Sequence, residues 1–163
     1  MDRAKANGTP TPATDRRRFL RHAGAAVIGA AAFAVPKARA AGANDRIVLG
    51  VIGPGGQGSG LLKSFAAQKD VEVAYVCDAD ANRTNAAAKA IESATGKAPK
   101  ADKDMRRIFD DRSVDAVVVA TPDHWHAPAT ILACNAGKHV YVEKPCSHNI
   151  REGRLMIEAA RRN

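Results

Sequence analysis

An α/β protein built on a doubly wound parallel sheet is the fold this sequence predicts. Three observations carry the prediction. Short apolar runs recur along the chain, among them Ile47-Val48-Leu49-Gly50-Val51-Ile52 and Asp115-Ala116-Val117-Val118-Val119-Ala120. Such runs suit strands buried on both faces. Segments with apolar residues at helical spacing separate them, and a glycine cluster joins the first run to the first such segment. Strands alternating with helices imply βαβ units with right-handed crossovers.

Taken in order, the first strand spans 47–52. A helix over 58–69 follows, with Leu61, Leu62, Phe65 and Ala66 at helical spacing. The next strand covers 71–77. An alanine-rich helix over 80–93 is ended by Gly96, a residue suited to the left-handed turn after a helix. Residues 97–102 hold a short edge strand and 104–109 one or two helical turns. A third strong strand runs over 115–120, and a helix over 125–135 is stopped by Gly137. A strand over 139–142 precedes a last helix over 149–162, with Ile150, Leu155, Ile157 and Ala160 as its apolar side.

Residues 1–40 read differently. A polar start leads into Asp15-Arg16-Arg17-Arg18-Phe19-Leu20-Arg21, then a small-residue apolar run from Ala23 to Val35, then Pro36-Lys37-Ala38-Arg39-Ala40. A basic region, a short apolar stretch and a small-x-small site predict a secretory signal. The paired arginines before Phe-Leu resemble a twin-arginine export signal. Cleavage is expected after Ala40, the twin-arginine export machinery is an expected partner, and the protein is expected in the periplasm or outside the cell. A retained anchor is the alternative. The run of 13 residues falls short of the roughly 20 that a spanning helix needs. The expected organisation is a signal peptide over 1–40 and one domain over 41–163.

Composition narrows the function. The 163 residues are 45% apolar and 26% charged, with 13 Gly and 3 Cys, which excludes a collagen-like repeat, a disulfide scaffold and a wholly disordered chain. The formal net charge is +8, but eight basic and two acidic residues within 1–40 leave only +2 on the rest. That is too small an electrostatic footprint for binding a phosphate backbone. Aromatics at 4% provide few stacking platforms, so no nucleic-acid partner is expected. Cys77, Cys134 and Cys146 have neither metal nor redox spacing. The first two read as core residues, and Cys146 borders a site loop.

Gly53-Pro54-Gly55-Gly56-Gln57-Gly58 fits G-x-G-x-x-G directly after a buried strand and at the start of a helix. That context makes it a dinucleotide-binding fingerprint of the Rossmann type. Gly53 permits the tight turn, Gly55 lets the backbone approach a pyrophosphate, and Gly58 lets the helix pack close to the strand. The helix start offers N–H groups and a positive dipole end to the anion. Pro54 has no N–H, so the phosphate contacts fall on later amides, those of Gly56 and Gln57. Asp78 stands 20 residues after Gly58, where a carboxylate accepts from ribose hydroxyls and favours NAD. Arg83 is close enough in sequence to offset that charge, which leaves NADP open. A glycine-rich turn with a helix-capping Asp is the alternative reading.

Two more clusters end later strands: Ala120-Thr121-Pro122-Asp123-His124-Trp125-His126 and Glu143-Lys144-Pro145. Polar residues at the carboxyl ends of parallel strands face the ligand crevice. The series VIGPGGQG, VCDAD, VVVATPDHWHA and HVYVEKP resembles the Gfo/Idh/MocA oxidoreductases in order and spacing, over nearly all of 41–163. The resemblance implies that Thr121, Pro122 and His126 line the cofactor near the ribose and nicotinamide. It implies that Glu143 and Lys144 lie near the nicotinamide ribose and reacting carbon. It also implies that Lys144 is catalytic, assisting the proton movement that accompanies hydride transfer at a sugar- or polyol-like hydroxyl. An ammonium suits that role because it polarises a carbonyl oxygen or hands over a proton. Pro145 favours an extended Lys144, and the bond before it is of the type that adopts cis.

Blander readings stand beside these. Lys144 alone is also what a solvated strand end looks like, and His124 and His126 could simply cap a helix. As a metal pair they are weak, because positions i and i+2 do not share a helix face and no third ligand stands near. No metal is expected. Trp125 reads as packing or as a wall of the cleft.

The resemblance further implies a second α/β domain with an open antiparallel sheet, which supplies most substrate contacts, further acid–base residues and the oligomer interface. No such domain, and no strand to complete the sheet, follows within this sequence. The chain is therefore expected to be a truncated member, with its oligomeric state unassigned and negligible turnover on its own, since positioning carries much of catalysis. Three functions remain open: an oxidoreductase acting on a carbohydrate-like small molecule, an NAD-dependent glycosidase that uses transient oxidation, and an inactive dinucleotide-binding module.

Overall fold

The apolar runs form one parallel sheet. In a computed structural model, which describes residues 46–163, the strands are β1 (Ile47–Ile52), β2 (Val71–Cys77), β3 (Lys100–Asp102), β4 (Ala116–Val119) and β5 (His139–Val142). Their order across the sheet is β3-β2-β1-β4-β5. The helices are α1 (Gly56–Ala66), α2 (Ala81–Thr95), α3 (Arg106–Asp110), α4 (His126–Asn135) and α5 (Ile150–Arg162). The signal-peptide reading, with cleavage after Ala40, lies outside the described residues. No helix among the described residues is long and apolar enough to cross a membrane.

Successive strand residues point to opposite faces, and each face has its own apolar cluster. Val117 and Val119 pack with Tyr75, Ile108, Phe109 and Ala133 on one side. Val118 packs with Leu49, Val51, Leu62, Val76 and Ile91 on the other. Burial on both faces is why these runs read as continuous rather than alternating. The chain winds from β1 out to β3, then returns to β4 on the other side of β1. Connections therefore leave β1 and β4 in opposite directions and open a crevice at their carboxyl ends.

Several boundaries shift for local reasons. Helix α1 starts at Gly56, because the glycine motif itself forms its first turn. The side chain of Asp80 accepts from the Asn82 amide at 2.9 Å and caps α2, and Gly96 ends that helix at φ 75°. The strand expected over 115–120 is trimmed to Ala116–Val119, and the Asp115 carboxylate accepts from the Val48 amide at 2.7 Å. A 3-10 turn, Asp123–Trp125, precedes α4.

The final helix corrects one expectation. Ile150 is 80% exposed, and Leu155, Ile157 and Ala160 also face outward, while Met156 and Ala159 are buried. The start of α5 is anchored by Asn149, which accepts from the Glu152 amide at 3.0 Å, and by the Glu152 carboxylate, which accepts from the His148 amide at 3.0 Å. Helix α5 packs against α4, with the Asn163 amide group donating to the Asn135 side-chain oxygen at 3.4 Å, and that packing turns the side of Met156 and Ala159 inward.

Candidate functional site

The glycine turn is built by close backbone approach. Gly53 has φ 81°, a conformation costly for any residue with a Cβ, and its amide donates to the Cys77 carbonyl at 2.8 Å. A Cβ at Gly53 would lie 2.7 Å from the Thr121 nitrogen, and one at Gly58 would lie 2.0 Å from the Gly53 oxygen. The turn, α1 and the end of β4 therefore touch through backbone. No side chain caps α1, and its first turn holds no acidic residue. The first-turn amides, which have no partner inside the helix, are left to an outside acceptor.

The loops after β1, β2, β3 and β4 line a cavity of about 570 Å³. It brings together Gly53, Gly55, Gly56, Gln57, Asp78, Arg83, Thr121 and Pro122. Asp78 Oδ1 accepts from the Asp80 amide at 3.0 Å, and Oδ2 lies 3.9 Å from Arg83 Nη1. The Arg83 Nε is 3.6 Å from Asp80, so two carboxylates hold its guanidinium. Thr121 Oγ1 is buried without a hydrogen-bond partner, a state that costs about 1–3 kcal/mol and that a polar ligand would relieve. Burial pushes the Cys77 thiol up to about 12, with help from the Asp102, Asp104 and Asp78 carboxylates. It remains a protonated wall of the cavity rather than a nucleophile.

The remaining expected residues stand elsewhere. Gly58 is buried beneath the turn. Glu143 and Lys144 follow β5 and do not line the cavity. The Glu143 amide continues the ladder to the Val119 carbonyl at 2.9 Å, its carboxylate accepts from the Lys144 amide at 3.1 Å, and Lys144 is exposed. The Lys144–Pro145 bond is cis. His126, also expected along the cofactor, is 2% exposed and does not line the cavity, and its two ring nitrogens stand against the carbonyl oxygens of Pro145 and Thr121.

Sequence reasoning did not single out Lys103, Asp104 and Met105, which line the cavity from the loop after β3. Their only signal was position at the carboxyl end of a short edge strand. Trp125, 46% exposed, joins His124 at the wall.

A cradle that any Cβ would fill, an uncapped helix start, an acid at the end of β2 and an unpartnered hydroxyl fit a dinucleotide. Residues 47–163 match the Gfo/Idh/MocA model, described as an oxidoreductase family with an NAD-binding Rossmann fold. The chain belongs to the Gfo/Idh/MocA oxidoreductase family. It is 34% identical over 114 residues to a glycosyl hydrolase family 109 protein of Saccharopolyspora erythraea, covering 68% of this chain and 25% of that protein. An NAD-binding protein from Listeria innocua is similar in structure, with TM-score 0.64 and 32% identity over 72% of this chain and 32% of its own. KijD10, a 3-ketoreductase from Actinomadura kijaniata solved with NADP, has TM-score 0.61 and 28% identity over 72% of this chain and 36% of its own. The chain thus spans about a third, or less, of the length of these relatives. It carries their NAD-binding Rossmann fold.

Proposed function

We propose that this chain is the cofactor-binding part of an enzyme that moves a hydride between a nicotinamide dinucleotide and a sugar- or polyol-like alcohol. The observation that carries the reading is the convergence of the uncapped α1, Asp78 and Thr121 on one cavity. When bound, the nicotinamide supplies the hydride acceptor or donor. The amides of Gly56 and Gln57 hold the pyrophosphate at the helix start. Asp78 accepts from the ribose hydroxyls, which favours NAD. Arg83, beside it at 3.9 Å, offsets the charge that would repel a 2′-phosphate, so NADP also fits. Thr121 and Pro122 flank the nicotinamide half, with Glu143 beside them. As an amine, Lys144 takes the hydroxyl proton of the alcohol while the carbon gives up hydride. As an ammonium it returns that proton in the reverse direction.

A glycosidase is the second reading, supported by the likeness to the glycosyl hydrolase family 109 protein of Saccharopolyspora erythraea. Transient oxidation of the sugar would then precede bond cleavage, and the cofactor would end in its starting form. A binding module without turnover is the third.

The first experiment titrates the purified chain with NAD and NADH, following the fluorescence of its one tryptophan, Trp125. Saturable binding is expected, and no binding would sink the cofactor assignment. A full-length relative is then offered sugar alcohols and aryl glycosides. Net NADH supports the oxidoreductase, and aryl release without net NADH supports the glycosidase. Export through the twin-arginine route is tested by the mass of the periplasmic species, expected to begin at Ala41.

A further inference from the structure

We propose that His126 is a positioning residue that ties together the two loops flanking the cleft and thereby fixes where Lys144 stands. The role of Lys144 rests on the function proposed above; the tie itself does not. His126 opens α4 with its ring buried. Its Nδ1 lies 2.6 Å from the Pro145 carbonyl oxygen, and its Nε2 lies 2.7 Å from that of Thr121. One carbonyl follows Lys144 directly, and the other belongs to the cavity residue with the orphaned hydroxyl. A single ring therefore spans the carboxyl-end loops of β4 and β5.

The loop after β5 has little else to hold it. Among the described residues, no backbone–backbone hydrogen bond fixes 144–147, and Pro145 has no N–H to contribute. The other side-chain link between the two loops, His148 Nδ1 to Asp123 Oδ2 at 3.3 Å, is exposed. An exposed contact of that kind holds weakly.

Both partners of the His126 ring are carbonyl oxygens, which only accept. A neutral imidazole has one N–H and satisfies one of them, and its other nitrogen then sets a lone pair against the second oxygen. The ring is therefore held by whichever carbonyl faces its N–H and packs against the other, and it spans both loops in either tautomer.

The test begins with the wild-type chain and no cofactor. Nitrogen NMR is expected to find the ring of folded His126 locked in one tautomer, and a spectrum averaged over both nitrogens, as in a freely exchanging imidazole, overturns the tie. In His126→Gly, the amides of Lys144 and His148, which donate to the Glu143 and Glu152 carboxylates, are expected to exchange about tenfold faster, as the loss of one buried hydrogen bond implies, while β1 and β4 keep their protection. Unchanged exchange overturns the proposal. Added imidazole is expected to restore protection, and 1-methylimidazole, whose methyl blocks one ring nitrogen, is expected not to. Equal rescue by both would make the ring a filler and overturn it. All three readouts are independent of NADH, so a chain that binds no cofactor would defeat the functional reading and leave the tie standing.

Discussion

Gly58→Ala tests the architecture of the site at one atom. The added methyl would lie 2.0 Å from the Gly53 oxygen, 3.0 Å from the Gly53 carbonyl carbon and 3.2 Å from the Ala120 Cβ. Ordinary contact begins near 3.4 Å, so the turn and α1 must part by about 1.4 Å. The obstructing atoms are mainly backbone, and no rotamer change relieves them. Overpacking of this kind costs about 1–3 kcal/mol of stability. The same displacement moves the first-turn amides off the pyrophosphate, and a comparable loss there weakens NADH binding roughly tenfold to a hundredfold. Gly60→Ala, in the same helix, is the control. Its methyl meets nothing within 4 Å, so it should add about 0.5–1 kcal/mol through helix propensity and leave binding unchanged. Urea unfolding followed by circular dichroism gives the stabilities, and quenching of Trp125 on the cavity wall gives the affinities. If Gly58→Ala binds NADH as tightly as Gly60→Ala, the close-approach argument is wrong.

Three further outcomes are expected. Asp78→Asn should weaken NAD by about tenfold, the worth of a hydrogen bond to a charged group, and should narrow the preference over NADP; an unchanged ratio in paired titrations would remove Asp78 from cofactor choice. The Ser113 hydroxyl and then the Tyr75 hydroxyl, with help from Lys100, hold the Asp111 carboxyl well below the usual carboxylate range. Its stabilisation is therefore complete above the unfolded value of about 3.9 and is lost as pH falls through the lower folded value. Asp111→Asn should accordingly lower the urea midpoint at neutral pH and converge with wild type in strong acid, whereas a constant gap would refute the linkage. Iodoacetamide on the native chain should modify the exposed Cys146 and spare Cys77 and Cys134, both buried with thiols pushed up by desolvation; peptide mapping that finds Cys77 alkylated would show that the cavity wall opens.

Most of the fold was legible because its signals are local. The strand at 139–142 was read to the residue, and β1 and β2 likewise, since an apolar run between polar flanks declares itself within a few positions. The glycine motif and Asp78 were legible for the same reason, each being defined by spacing along one βαβ unit. The apolar side of α5 was misread. A helical pattern of Ile150, Leu155 and Ile157 carries no record of which side meets a neighbour, and packing against α4 decided it.

What remained hidden depends on partners distant in sequence. His126 is expected along the cofactor because it sits in a cluster of site residues, and the contact of its ring with Pro145, 19 positions away, shows in no local pattern. The orphaned Thr121 hydroxyl, and the contribution of Lys103 to Met105 from the far side of β2, are likewise invisible in any window of the chain. Periodicity and spacing settle which segments become strands and helices, because backbone geometry repeats every few residues. Where a buried side chain spends its hydrogen bonds is decided by which loops the assembled sheet brings together. That choice exists only once β4 and β5 lie side by side.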